Sequence, residues 1–280
     1  MDLRRLKTVF IIILIVIDAL LAALLCHMIG QEREVKKETD SSVTAFLQRN
    51  MIFLAPDLEL PESPEMSDCY LEKMSESNDD FVTKLLGGSY TASEDGGYIS
   101  GSRSLHIGGA EFRYEDSKPT APLSDMSAGA IEKLCRSELE RLDIDSRSYK
   151  FNGINMGGNT IKAIFTVEYS GSVFFDSYLS FDISKDGICG ISGKNLVSDI
   201  SASGRSAKYF KISSILMDIV KNPMLDKNKQ HTIVSIKHGY YIGQGSENYR
   251  NILAIPVWQI ATDSGLILYY DARNGNYIDS

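Results

Sequence analysis

Hydrophobic positions along this chain fall into one unbroken block followed by short periodic runs. The block is VFIIILIVIDALLAALLCHMI, residues 9–29, in which 14 of 21 positions are Val, Ile, Leu or Phe. A helix needs about 20 such residues to cross a bilayer. Together these side chains favour insertion by roughly 4–8 kcal/mol, against about 2.5–3.5 kcal/mol for the central Asp18. The segment is therefore expected to insert despite its carboxyl group. It exceeds the apolar core of a cleavable signal peptide, about 7–15 residues, and carries no A-x-A-like site. Ala23-Leu24-Leu25-Cys26 has the outline of a lipoprotein cleavage site, but bulky Leu25 stands where a small residue is needed. The reading is an uncleaved signal anchor, with residues 1–8 as a tail, 9–29 as the span and 30–40 as a juxtamembrane linker; residues 31–40 read equally as a helical extension of the anchor. Arg4, Arg5 and Lys7 before the span balance Arg33, Lys36 and Lys37 after it. The short basic amino terminus decides the orientation: tail in the cytoplasm, residues 31–280 extracytoplasmic.

Beyond the linker the pattern alternates between helical and strand periods. Ser41 or Ser42 is placed to cap a helix through Val43, Phe46, Leu47 and Met51. Three prolines in IFLAPDLELPESP exclude helix there and leave an extended arm. DDFVTKLLGG begins acidic and stops on glycine, as a short helix should. Residues 90–114 alternate and are punctuated by glycine, which predicts strands and turns. SAGAIEKLCRSELERL predicts a helix over 127–142, with Ile131, Leu134, Cys135, Leu139 and Leu142 on one face. Glu132–Arg136 and Glu138–Arg141 are spaced for ion pairs along it. Residues 149–194 are rich in strand signals. KISSILMDIVKN predicts a further helix ending at Asn222-Pro223, and HTIVSIKHGYYI, NILAIPVWQIAT and GLILYYDA predict three closing strands. The glycine-bearing GGNT, GISG and SGRS read as turns. The resulting fold class is α+β: antiparallel sheets with helices packed on one face, in two subdomains, 41–125 and 126–280.

Charge and cysteine usage narrow the function. Net charge is −8, and residues 1–30 hold three basic and two acidic side chains, leaving −9 for the rest. An acidic domain without a basic stripe excludes nucleic acid as the natural partner. Cys69, Cys135 and Cys189 are odd in number and far apart, so they are expected as buried free thiols rather than a disulfide framework. His106, His231 and His238 match no zinc spacing, and no phosphate-binding or nucleophile-elbow motif occurs. No cofactor, metal or catalytic residue is expected, and the chain reads as a non-enzyme. Tyr240-Tyr241, Trp258 and Tyr269-Tyr270 concentrate aromatic rings in the last strands, where strand alternation should send one ring of each tyrosine pair inward.

Three stretches carry a family resemblance. They are MDLRRLKTVFIIILIVIDALL, TAFLQRNMIFLAPDLELP, and IKHGYYIG followed by IPVWQIATDSGLILYYDARNG. Together they resemble the YycI family, membrane-anchored proteins that act with YycH on the WalK/WalR cell-wall two-component system of Gram-positive bacteria. The closing motif lies at Gly239, Tyr240, Tyr241, Pro256, Trp258, Tyr269, Tyr270 and Gly275. Leu3 and Asp271 depart from the family's tryptophan and asparagine, and residues 87–205 show no match. The resemblance implies a non-catalytic regulator at the cell membrane, with a WalK-like sensor histidine kinase and a YycH-like protein as partners. It also implies a use for Asp18. On a helix Asp18, Ala19, Ala22, Ala23 and Cys26 share one arc, where small side chains admit another helix and the carboxyl group finds a hydrogen-bond partner. An extracytoplasmic module that binds a peptide or wall fragment is the alternative, and a wall-active enzyme is a third.

Overall fold

The computed structural model describes residues 3–73, 79–93, 96–157, 159–243 and 251–279. Chain order begins with helix α1 (Leu3–Arg49), strands β1 (Ile52–Leu54) and β2 (Glu65–Lys73), and helix α2 (Asp79–Leu86). Strands β3 (Thr91–Ala92), β4 (Tyr98–Ser100), β5 (Arg103–Gly108) and β6 (Glu111–Asp116) precede helix α3 (Ala128–Arg141). Next come β7 (Tyr149–Gly157), β8 (Thr160–Tyr169), β9 (Ser172–Ser184), β10 (Gly187–Lys194) and β11 (Val197–Lys208). Helix α4 (Ile212–Asp218) continues into a 3₁₀ turn, Ile219–Lys221, before β12 (His231–Tyr241), β13 (Asn251–Thr262), β14 (Ile267–Asp271) and β15 (Tyr277–Ile278). The fold is α+β with a large mixed sheet, and each helix expected between 79 and 222 is present.

The chain forms two compact units, neither of them continuous in sequence. Unit 1 gathers Met1–Leu60, Ile212–Val234 and Thr262–Gly265; unit 2 gathers Pro61–Lys211, Ser235–Ala261 and Leu266–Ser280. The sequential halves expected on either side of residue 125 are not these units. β6 lies before that point and β10 after it, yet they pair in five registers from Glu111 to Glu115 inside unit 2.

Unit 1 is built on α1. Its carboxyl-terminal end buries Val43 and Leu47, and α4 packs against it with Ile212, Ile215 and Leu216 buried. β1 runs parallel to the start of β12, from Ile52 opposite His231 to Leu54 opposite Ile233. Of the two readings of residues 31–40, the helical extension is the one observed: residues 31–49 contain neither glycine nor proline, and no break occurs near Ser41. The Thr39 and Thr44 hydroxyls donate back to the Val35 and Asp40 carbonyls, both at 2.8 Å, and satisfy themselves without interrupting the helix. The helix ends where Met51 takes a left-handed φ of 61°.

The segment 9–29 is helical throughout as part of α1, but side chains at 9–14, 16 and 29 lie outside the described residues. Among the described residues, no helix is long and apolar enough to cross a membrane. From Ile15 to Met28, every large apolar side chain described is exposed, Leu25 at 62 % and Leu21 at 59 %.

Unit 2 carries the main sheet, in the order β11-β2-β13-β12-β9-β10-β6-β5-β4-β3, with β7-β8 attached to β9 and β14-β15 to β13. Alternation sets the buried face: in β6, Phe112, Tyr114 and Asp116 point in while Glu111, Arg113 and Glu115 point out. Helix α3 covers the core with Ile131, Cys135 and Leu139. Its start is capped by Ser127, whose hydroxyl accepts from the Ala130 amide at 3.4 Å. Its end turns at Asp143, φ 57°, with the Ile144 amide donating to Leu139. Both expected ion pairs form, Arg136–Glu132 at 2.8 Å and Arg141–Glu138 at 2.5 Å.

Two expectations need correction, and one strand was missed. The sheet is mixed, not antiparallel, because β12 runs parallel to both β1 and β9. Apolar alternation fixes which face a strand buries but carries nothing about its direction. GISG (190–193) and SGRS (203–206) lie inside β10 and β11 rather than in turns. In β10 those glycines are packing sites, since a methyl on Gly193 would come within 2.7 Å of the Phe112 ring and 2.8 Å of Leu179. Strand β2 was hidden by Ser67, Asp68 and Glu72, which interrupt its buried series Met66, Cys69 and Leu71.

Candidate functional site

Two sets of residues stand out, one in each unit. In unit 1, Asp18, Ala19, Ala22, Ala23 and Cys26 are all helical and all exposed. At about 100° per residue they occupy an arc of roughly 140°, which Ile15 also enters. Small side chains line the strip, with Asp18 at one edge and Ile15 as the large residue near its centre. Nothing in unit 1 covers it among the described residues. Further along the same helix, Val35, Glu38, Thr39 and Ser42 meet Ser213 and Met217 of α4 around an open groove of about 440 Å³.

In unit 2 the closing strands bring the carboxyl-terminal motif together as a packed frame. Trp258 is fully buried, and its Nε1–H donates to the Phe210 carbonyl at 3.0 Å. The Phe210 amide in turn donates to Ala272 (2.7 Å), and the Ala272 amide to Pro256 (2.9 Å). Gly275, at φ +78°, lies so close to the Phe210 ring that a methyl would approach it to 3.1 Å. The turn carrying Gly275 is held by Asp271, which accepts from the Arg273 amide (2.8 Å) and pairs with its guanidinium (2.7 Å). An aspartate suits this position because its charge engages Arg273. The motif thus clasps one aromatic residue, Phe210, which the sequence did not single out.

The second half of the motif joins β12 to β9. Gly239 faces Val173 and Tyr240 faces Phe174 in a parallel pairing of only two registers. A methyl on Gly239 would overlap the Val173 carbonyl and the Phe175 ring, so only glycine fits. Tyr240 stacks on Phe174, centroids 4.9 Å apart and planes 21° from parallel, and donates its hydroxyl to Ser67 at 2.8 Å. Tyr241 lies 4.9 Å from Tyr269, whose hydroxyl accepts from Gln259 at 3.0 Å. Tyr269 also meets Phe175, and Tyr270 meets Tyr277. Contrary to strict alternation, Tyr240 and Tyr241 are both buried. Tyr241 turns inward at the end of β12, where Ile242 and Gly243 bend to bind Asp176.

Burial shapes the titration of these groups. Burial pushes the Tyr240, Tyr241 and Tyr269 phenols up, and with them the Cys69 and Cys189 thiols. Burial pushes Cys135 up to about 12. Thiols so shifted stay protonated at neutral pH and are poor nucleophiles. All three are free, as expected, but Cys189 is only half-buried, its thiol donating to the Asp182 carbonyl at 3.2 Å. His231 is buried and His106 exposed, while His238 sits edge-on to Trp258 with its pKa lowered by burial. Among the described residues no group of three or more His, Cys, Asp or Glu is arranged to hold a metal.

No protein-family model matches the chain, and no curated protein matches it. The YycI resemblance therefore stands on the sequence motifs alone. Among solved structures, the chain is similar to an uncharacterized protein from Eubacterium rectale ATCC 33656, with 12 % identity and a TM-score of 0.53. That similarity covers 82 % of this chain and 91 % of the other. It is similar more remotely to the Bacillus megaterium YpeB C-terminal domain, with 10 % identity and a TM-score of 0.36 over 74 % of this chain and 97 % of that domain. At such identities what is shared with the Eubacterium rectale protein is the α+β fold.

Proposed function

We propose that this chain is a non-catalytic, single-pass membrane protein that regulates a sensor histidine kinase of a cell-wall two-component system. In this reading residues 9–29 span the membrane, the amino terminus is cytoplasmic and residues 31–280 lie outside. A WalK-like kinase and a YycH-like protein are the partners, met through the membrane helix and the outer domain. The observation that carries the reading is the uncovered apolar length of α1, exposed from Ile15 to Met28 and interrupted by Asp18. Contiguous apolar surface of this extent is rare on soluble monomers, and lipid or a partner helix is its natural cover. The sequence of residues 9–29 and the resemblance to YycI support the same assignment.

The strip around Asp18 is the proposed partner contact. Asp18→Leu makes the helix more apolar, so membrane levels should hold while co-purification with the kinase falls. Ala22→Leu should act likewise by blocking close approach, and Asp18→Asn should keep both. Wild-type co-purification and regulation in both leucine variants would confine α1 to anchoring and move the contact to the outer domain. Protease added to intact spheroplasts should digest residues 31–280; full protection before lysis would overturn the topology.

A second reading, an extracytoplasmic ligand-binding module, is favoured by the open groove beside Glu38, Thr39, Ser42 and Ser213. Saturable binding of a peptide or wall fragment, lost in Ser213→Trp, would support it.

A further inference from the structure

Asparagine followed by glycine is prone to lose ammonia, because glycine has no side chain to keep its amide from the asparagine carboxamide. The chain holds two such pairs, Asn152-Gly153 in β7 and Asn274-Gly275 after β14. Their settings are opposite. At Asn274 the reacting groups are tied down. Oδ1 accepts from the Asn276 amide at 2.8 Å, and Nδ2 donates to Asp271 at 3.2 Å. The Gly275 amide, which would be the nucleophile, donates to the Asp271 carbonyl at 2.8 Å. At Asn152 it is the strand that is interrupted. Phe151 stands opposite Phe165 and Gly153 opposite Ile164, so Asn152 is the extra residue of a bulge and faces no partner. Among the described residues β7 pairs with β8 alone, which leaves its other edge open. The Asn152 side chain is exposed, and its Nδ2 donates to the Thr166 hydroxyl at 3.0 Å. Gly153 has a φ of +109°, and a methyl there would meet nothing within 4 Å.

We propose that Asn152 is a site of spontaneous modification, at which the folded chain deamidates to aspartate and isoaspartate while Asn274 is spared. Hydroxide takes the Gly153 amide proton, and the nitrogen's electron pair bonds to Cγ of Asn152. The Cγ–Nδ2 bond breaks, and the amine leaves as ammonia with a proton from water, which regenerates the hydroxide. One water then opens the cyclic imide. Attack at Cγ gives aspartate; attack at the Asn152 backbone carbonyl carbon gives isoaspartate, with the main chain running through the former side chain. Nothing is oxidised or reduced. Ring closure needs local movement of the backbone, and a bulge on an open edge strand moves at little cost because few contacts hold it. Either product sets a carboxylate within residues 151–157, a stretch of β7 that otherwise holds no charge. Charge is one of the devices that keep an open strand edge from pairing with another chain. Deamidation adds that guard to β7 as the protein ages.

The test is peptide mapping by mass spectrometry of the full chain in detergent micelles, aged in mildly alkaline buffer with and without urea. A hydrogen bond of ordinary strength slows the groups it holds by about fivefold. The bonds on Oδ1, Nδ2 and the Gly275 amide at Asn274, against the Nδ2 bond at Asn152, should therefore leave Asn152 about tenfold ahead or more in the folded chain. Urea, which releases the bonds at Asn274, should draw the two sites level. Asn152→Gln should remove the product at 152, since its longer side chain closes the larger ring far more slowly. Conversion at Asn152 no faster than at Asn274 in the folded chain, or a lead that urea leaves undiminished, would overturn the proposal.

Discussion

The first helix and the closing strands are the two places where apolar side chains crowd most densely, and they dispose of them in opposite ways. In β12–β14 Trp258, Ile260 and Leu268 are sealed from solvent, and the Tyr240 and Tyr269 hydroxyls find hydrogen-bond partners. Along α1, Leu21 and Leu24 are more than half exposed, yet Val43 and Leu47 on the same helix are buried under α4. Apolar content alone therefore does not say what covers a residue. Periodicity does: residues 9–29 are apolar nearly all round the helix, whereas past Ser41 only one stripe is apolar, which is the mark of a helix packing on protein.

The contrast can be pressed by substitution. Trp258→Ala removes the largest sealed ring and the hydrogen bond to Phe210, and should cost about 3–5 kcal/mol. The variant should unfold in denaturant well below the parent or fail to accumulate. Unchanged melting with lost function would instead make that region a binding surface. On α1, Leu47→Ala should cost about 2–5 kcal/mol. Leu24→Ala should leave chemical unfolding of the outer domain within about 0.5 kcal/mol, as exposed substitutions do. Equal losses at the two positions would show that residues around 24 pack on protein after all. The smallest effect is chemical. Cys69 and Cys135 should react with a thiol reagent only on unfolding, with half-buried Cys189 faster than either. A disulfide-linked peptide pair in unreduced protein would refute the free-thiol assignment.

Much of the architecture was legible in the sequence, for stated reasons. Helix α3 announced itself through its ion pairs and its single apolar face, and both are present. The closing strands were legible through alternation and through the Asp263-Ser264-Gly265 and Asn274-Gly275 turns. What escaped were features set by distant partners. Strand β2 looks polar until β11 and β13 flank it, and the parallel run of β12 is set by partners, β1 and β9, that lie far away in sequence. Of the unit 2 site, the tyrosines, Trp258 and Gly275 could be read from the sequence, but Phe210 and Asp176 could not. A lone aspartate in FFDS, within an apolar strand, was the available signal for one of them.

The discontinuity of unit 1 bears on how the protein is made. Its core needs Leu47 from α1, Ile215 and Leu216 from α4 and Ile233 from β12, and its last piece is residues 262–265. During synthesis the end of α1 leaves the ribosome some 160 residues before α4, with its apolar stripe bare throughout that interval. At about 5–20 residues per second that wait lasts roughly 8–30 seconds. Contacts so far apart in sequence also slow folding, because the intervening chain must be closed into a loop first. Val43 and Leu47 are therefore the residues a chaperone would meet earliest and hold longest, and a chain stalled before residue 212 should keep them open to capture.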